Sequence, residues 1–172
     1  MADIVPILEH LARARGGLLS AADAVSRSVW QTPPRSGAWS AAEVIAHLTM
    51  VEARITNGAA KLVSGAAPHV PRIKRLHLPV WLAEWRGFRA KTPIPLDPKL
   101  VGEKEAMLAG LRELRQRTLG LLEENREREL SAYRWPHPFL GSLDFYQWFR
   151  MIAHHEARHT KQILEIVETF QK

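Results

Sequence analysis

At 172 residues the chain is long enough for one domain with a sizeable core and short for two. With 46% hydrophobic and 24% charged residues it excludes extended disorder, and the absence of cysteine excludes disulfides, thiolate metal ligands and a cysteine nucleophile. The net charge of +6 raises a nucleic-acid reading, and its distribution along the chain decides how far that reading goes.

The first helix is expected over about residues 3–28, where Ile4, Leu8, Leu11, Leu18, Ala22 and Val25 recur as one apolar stripe. Asp3, Glu9, Arg13 and Arg15 interrupt the apolar run that a signal peptide would need, and no later stretch approaches the roughly 20 apolar residues of a membrane span. A cytoplasmic location with no membrane partner is the expectation. Pro33-Pro34 and Ser36-Gly37 then force a turn.

The second helix, about 40–62, has a definite start. Ser40 followed three residues later by Glu43 is a capping box, and Trp39 and Val44 are placed to pack across it as a hydrophobic staple. Val44, Leu48, Val51 and Ile55 form its inward face.

A crossover over 64–97 follows, broken by Pro68, Pro71, Pro79, Pro93 and Pro95. Within it Arg72, Lys74, Arg75, Arg86, Arg89 and Lys91 are set against only Glu84 and Asp97, so four of the six net charges lie here. The segment reads as a solvated basic loop or as a docking place for an anionic substrate or partner. A nucleic-acid binder is the least favoured class, since no recognised motif accompanies the charge. Val80 to Arg89, with Trp81, Leu82, Trp85 and Phe88, is expected to form a short amphipathic helix across the bundle, and Trp81 and Trp85 to help close its open end.

The third helix, about 97–127, is expected to be capped by Asp97 with Pro98 at its first position, Leu96 and Val101 making a second staple. Its stripe is Leu100, Met107, Leu108, Leu111, Leu114, Thr118 and Leu121, with Arg112 and Arg115 off it. The fourth helix, about 142–170, follows Gly141 with Ser142 as its cap and Asp144 in its first turn. Short links pair helices one with two and three with four antiparallel, and the long crossover makes two and three parallel. The fold class is all-α, an up-down-down-up four-helix bundle in a single domain spanning 1–172.

Helical phase sorts the eight histidines. Trp148, Ile152, His155, His159, Ile163 and Ile166 share one face, so His155 and His159 stand as i, i+4 neighbours with Cβ atoms about 6 Å apart. Two imidazoles so placed can converge on one ion. His154 falls instead with Gln147, Arg150, Arg158, Lys161 and Glu165, and is expected to face solvent. In the second helix His47 lies inside the apolar stripe between Val44 and Val51. A buried imidazole is costly without partners, and a metal held by His47, His155 and His159 explains all three together; hydrogen-bonded core histidines are the alternative. His10, His69, His77 and His137 read as surface or loop residues, with His137, in the loop before helix four, the one to watch. Gln162, one turn beyond His159, is placed to orient a ligand ring or bind water. Glu156 points about 100° from His155 and is expected at the surface. Glu52 lies off the ligand line, and Tyr146 and Trp148 are candidates to line the pocket.

The stretch Trp39-Ser40-Ala41-Ala42-Glu43-Val44-Ile45-Ala46-His47-Leu48 resembles the second-helix motif of the DinB-like/YfiT-like superfamily of metal-dependent enzymes. His137-Pro138-Phe139-Leu140-Gly141, Tyr146-Gln147-Trp148 and His155-Glu156-Ala157-Arg158-His159-Thr160-Lys161-Gln162-Ile163 are similar to its last-helix signature. The resemblance implies an up-down-down-up bundle, frequent homodimers, and a three-histidine site at His47, His155 and His159 holding zinc or nickel. It further implies hydrolysis or thiol S-transfer on a small-molecule substrate, anionic or a low-molecular-weight thiol. A non-catalytic, metal-stabilised or small-ligand-binding bundle is the competing class, and no residue is assigned as general acid or base.

Overall fold

The computed structural model describes residues 3–65, 76–85, 87 and 96–171. Four helices dominate: α1 (Val5–Asp23), α2 (Ala41–Ser64), α3 (Lys104–Glu124) and α4 (Phe145–Phe170). A two-stranded antiparallel hairpin, β1 (Arg134–His137) and β2 (Gly141–Asp144), leads into α4. No described helix is long and apolar enough to cross a membrane.

Two apolar clusters fix the direction of each helix. One gathers Ile7 and Leu11 of α1, Ile55 and Ala59 of α2, Leu122 of α3, and Phe149 and Ile152 of α4. The other gathers Leu18 and Ala22, then Val44 and Leu48, then Leu108 and Leu111, and finally Ile163 and Ile166. Helices α1 and α4 therefore run from the first cluster to the second, while α2 and α3 run back. The bundle is up-down-down-up, with α1 packed chiefly on α4 and α2 chiefly on α3.

The helix ends differ from expectation, each for a local reason. Ser40 does cap α2: its side chain accepts from the Glu43 amide at 3.2 Å while Glu43 accepts from the Ser40 amide at 2.7 Å. Helix α1 stops at Asp23 rather than near 28, because buried Lys104 donates to the Asp23 and Val25 carbonyls at 3.0 and 2.7 Å. A cation there suits the negative end of the helix. Asp97 does not cap α3. Residues Pro98–Leu100 form one 3-10 turn, and Gly102 is held outside the helix by Trp30 Nε1 and Gln31 Nε2, which donate to its carbonyl at 3.1 and 3.3 Å. Leu100 is consequently 40% exposed rather than in the stripe, and the helix begins at Lys104.

Ser142 does not cap α4, because it lies in β2 opposite Pro136. Asp144 is the cap: it accepts from the Gln147 amide at 2.8 Å, and Gln147 accepts from the Asp144 amide at 2.9 Å. The Ser142 amide donates away from β1 to the Leu76 carbonyl at 3.2 Å, so Pro136 occupies a position that asks nothing of its missing N–H. Gly141 makes this approach possible. Its φ is +84°, and a Cβ there would lie 2.5 Å from the Leu76 oxygen.

Of the expected crossover helix, only a 3-10 turn at Val80–Ala83 is present among the described residues. Val80, Leu82 and Ala83 pack on the core, while Trp81 and Trp85 are more than half exposed. The basic side chains Arg72, Lys74, Arg75, Arg86, Arg89 and Lys91, together with His69, Phe88 and the prolines 68, 71, 93 and 95, lie outside the described residues.

Candidate metal centre

Helix α2 carries His47 and α4 carries His155 and His159, all directed at one point between the two helices. His155 Nε2 lies 3.3 Å from His47 Nε2 and 3.1 Å from His159 Nε2. One ligand atom from each ring lies within 4.8 Å of the others, so the three histidines could hold a metal ion. Four nitrogens in a tetrahedron 2.0–2.1 Å from an ion stand about 3.3 Å apart, and in an octahedron about 2.9 Å. The observed edges lie within that range.

The chemistry of the rings supports the same use. Burial pushes His47 down to about 4, and burial followed by the neighbouring histidines His159 and His47 holds His155 well below its ordinary value. Both rings are thus neutral at pH 7, as ligands must be. His159 Nδ1 donates to Gln162 Oε1 at 2.9 Å, which leaves the Nε2 lone pair facing the other rings. The orienting role expected for Gln162 is therefore present. His47 Nδ1 is buried without a hydrogen-bond partner among the described residues, so whatever compensates this ring must act at Nε2.

Trp39 walls the centre. Its ring lies 5.0 Å from that of His47 and stacks at 6.4 Å and 16° on that of His159. On the hairpin side Trp148 stacks on Trp135 at 5.1 Å and also contacts the His137 ring at 5.1 Å. Backbone amides of Phe139 and Leu140 both donate to His137 Nδ1 at 3.1 Å, which puts the ring proton on Nε2. Burial lowers His137 to about 4. It is a neutral donor rather than a loose loop residue. Tyr146 serves a different purpose from pocket lining: its hydroxyl donates to the Arg128 carbonyl at 2.9 Å and accepts from the Leu130 amide at 3.2 Å.

His154 stays off the ligand face but does not face solvent freely. Half-buried, it hydrogen-bonds Glu84 at 3.2 Å and meets the His10 ring edge-on at 4.5 Å, so His10 is also a contact residue. His77 sits where the crossover bridges to Gly141, and its Nε2 accepts from Gln147 Nε2 at 2.7 Å.

Two charge placements are corrected: Glu156 is buried rather than at the surface, and Arg115 is buried rather than off the stripe; Glu52, off the ligand line as expected, is buried with them. Together with Arg15 they form a layer of two guanidiniums and two carboxylates, one side chain from each helix. Arg15 bonds Glu52 at 2.5 Å and Glu156 at 2.6 Å; Arg115 bonds the same two carboxylates at 2.8 and 3.1 Å. Thr118 donates to Glu52 at 2.8 Å, and Arg115 donates to the Leu11 carbonyl at 2.6 Å. The arginines lower Glu52 despite its burial, whereas burial dominates at Glu156 and raises it. Each carboxylate is committed to this layer, so neither is free to serve as a general base.

A family model for the DinB superfamily matches residues 10–163. YuaE, an uncharacterized protein of Bacillus subtilis (strain 168), is 29% identical over 144 residues, covering 81% of this chain and 83% of that protein. Among solved structures, YfiT from Bacillus subtilis, described as a probable metal-dependent hydrolase with an unusual four-helix bundle topology, aligns with a TM-score of 0.68. It is 18% identical, and the alignment covers 96% of this chain and 86% of YfiT. That likeness is one of fold, whereas the family match reaches across both helices that carry the histidines. The chain belongs to the DinB superfamily.

Proposed function

We propose that this chain is a metal-dependent enzyme of hydrolase type, with His47, His155 and His159 holding one divalent ion, zinc or nickel. The observation that carries the reading is the convergence of three imidazoles, with Nε2 atoms 3.3 and 3.1 Å apart along two edges and all three ligand atoms within 4.8 Å of one another. The description of YfiT as a probable metal-dependent hydrolase supports the reaction class. Such an ion supplies Lewis acidity, enough to bring a water or a substrate thiol to its deprotonated form near neutral pH.

The chain's own residues do the rest. Three protein ligands leave coordination positions for water and substrate, as a catalytic site requires. Gln162 fixes the His159 ring, and Trp39 keeps water off two ligand rings on one side. His137 offers its Nε2 proton as a hydrogen-bond donor beside Trp148. Thiol S-transfer is the alternative chemistry at the same centre. With no cysteine in the chain, the sulfur would have to come from a small-molecule co-substrate. Assembly as a homodimer is part of the proposal.

The deciding experiment is the metal content of protein purified without a histidine tag. Near-stoichiometric zinc or nickel, lost in His155→Ala and in His159→Ala while helicity persists, supports the reading. Metal-free wild type of undiminished stability overturns it. Turnover of ester and amide panels, against thiol-dependent turnover of electrophiles, then separates the two chemistries; chelation should abolish whichever is found.

A further inference from the structure

His137, at the end of β1, holds a donor that the hairpin itself does not use. Its Nδ1 accepts from the Phe139 and Leu140 amides, which leaves the ring proton on Nε2, and Nε2 has no hydrogen-bond partner among the described residues. The residue is half-buried, and Nε2 retains contact with solvent. Its polar neighbours are already engaged: Trp148 Nε1 donates to the Trp135 carbonyl at 3.2 Å, and Arg134 donates to the Ser142 carbonyl and to Asp144. Three observations place this donor beside the histidine centre. The His137 ring lies 5.1 Å from that of Trp148, which shares a face of α4 with His155 two turns further on. Helical side chains lean towards the N-terminus, so His155 leans towards Trp148. His137 is also near enough to His155 for its charge, when protonated, to depress that ring. Finally, His155 is half-buried whereas His47 and His159 are buried, so solvent reaches the centre on the side of His155.

We propose that His137 Nε2–H is the hydrogen-bond donor to the reacting carbonyl oxygen of the substrate, an ester or an amide. The inference rests on the metal-centre reading above and deepens it, naming a catalytic residue and a substrate class. When a water oxygen adds to the carbonyl carbon, the C=O π pair moves onto the carbonyl oxygen. Collapse of that adduct breaks the bond to the alcohol or amine, which leaves with a proton from the water. His137 stabilises the negative charge on the carbonyl oxygen by its hydrogen bond throughout and gives up no proton. A neutral imidazole suits this role, because two backbone amides fix its tautomer and orientation before the substrate arrives. The single donor also matches the one oxyanion of acyl transfer. A phosphoryl group spreads its charge over three oxygens and draws on cationic side chains instead.

Two substitutions separate this role from that of holding the turn. In His137→Asn the side-chain oxygen takes the place of Nδ1, so the two amides keep an acceptor while the donor is gone. In His137→Gln the amide N–H reaches the place of Nε2, while the acceptor for the turn is lost. Zinc-loaded full-length proteins would be titrated calorimetrically with two probes. Acetohydroxamate binds a metal and presents a carbonyl oxygen to His137; imidazole binds a metal through nitrogen and offers no further acceptor. His137→Asn should weaken acetohydroxamate binding at least about ten-fold, while zinc content and imidazole affinity match the wild type. His137→Gln should retain most of the acetohydroxamate affinity. Affinity for acetohydroxamate that is unchanged in His137→Asn, or lost in His137→Gln while imidazole still binds, overturns the donor role alone. So does an equal loss of both probes in His137→Asn, or a zinc-loaded wild type that binds imidazole but not acetohydroxamate. Failure of the wild type to load zinc, or to bind either probe, overturns the metal-centre reading and this inference with it.

Discussion

Gln162 shows how much one side chain contributes to a centre it does not enter. By accepting the His159 Nδ1 proton at 2.9 Å it fixes the tautomer and the ring angle together. Partners of this kind typically matter about 10–100-fold in metal affinity. Gln162→Ala should therefore weaken zinc binding by about that factor, measured by competition with a chromophoric chelator. Gln162→Glu, which keeps an acceptor, should retain most of the affinity; equal loss in both variants would mean that the contact does not orient the ring. His47, His155, His159 and Gln162 were all legible in the sequence, because phase alone puts an imidazole on the apolar stripe and its partner one turn away. His137 was legible only as a suspicion. Its tautomer depends on two amides of a hairpin turn that no periodicity announces.

Among the elements, the hairpin and the starts of α3 and α4 escaped the sequence for related reasons. A capping residue followed by a helix former describes a helix start only if the chain is free to begin winding there. At Asp97 it is not, because Gly102 is tied to Trp30 and Gln31, residues more than 70 positions away. At Ser142 a partner strand takes the residue, and the cap passes to Asp144. The strand itself was hidden by Pro136, which reads as a breaker until its position between ladder hydrogen bonds is known. Substitution separates the two candidate caps. Asp144→Ala should cost about 1 kcal/mol, since a side-chain acceptor for the Gln147 amide is lost. Ser142→Ala should remain within about 0.5 kcal/mol. Chemical denaturation of both variants decides it, and a larger loss at Ser142 would return the cap to the position the sequence suggested.

For the molecule as a whole, the Arg15–Glu52–Arg115–Glu156 layer sits between the two apolar clusters and touches every helix. Its members follow the apolar stripes in spacing: Arg15 is four after Leu11 and three before Leu18, and Glu52 is four after Leu48 and three before Ile55. Arg115 is likewise four after Leu111, and Glu156 four after Ile152. Phase counted from those apolar residues places all four inward; counting Glu156 from His155 alone, and setting Arg115 off the α3 stripe, sends these two outside. What no single helix could reveal is that the charges cancel across four helices. That cancellation sets the energetics. Removing one member leaves a buried charge uncompensated, so Arg115→Met or Glu156→Leu alone should cost about 3–5 kcal/mol. Removing both leaves Arg15 and Glu52 still paired at 2.5 Å, so the double variant should lose clearly less than the two single losses added together. Denaturant titrations of chelator-treated protein measure the cycle without the metal's contribution. Strict additivity would mean that Arg115 and Glu156 are not energetically coupled despite their contact at 3.1 Å; strong coupling would show that α3 and α4 are tied through this layer.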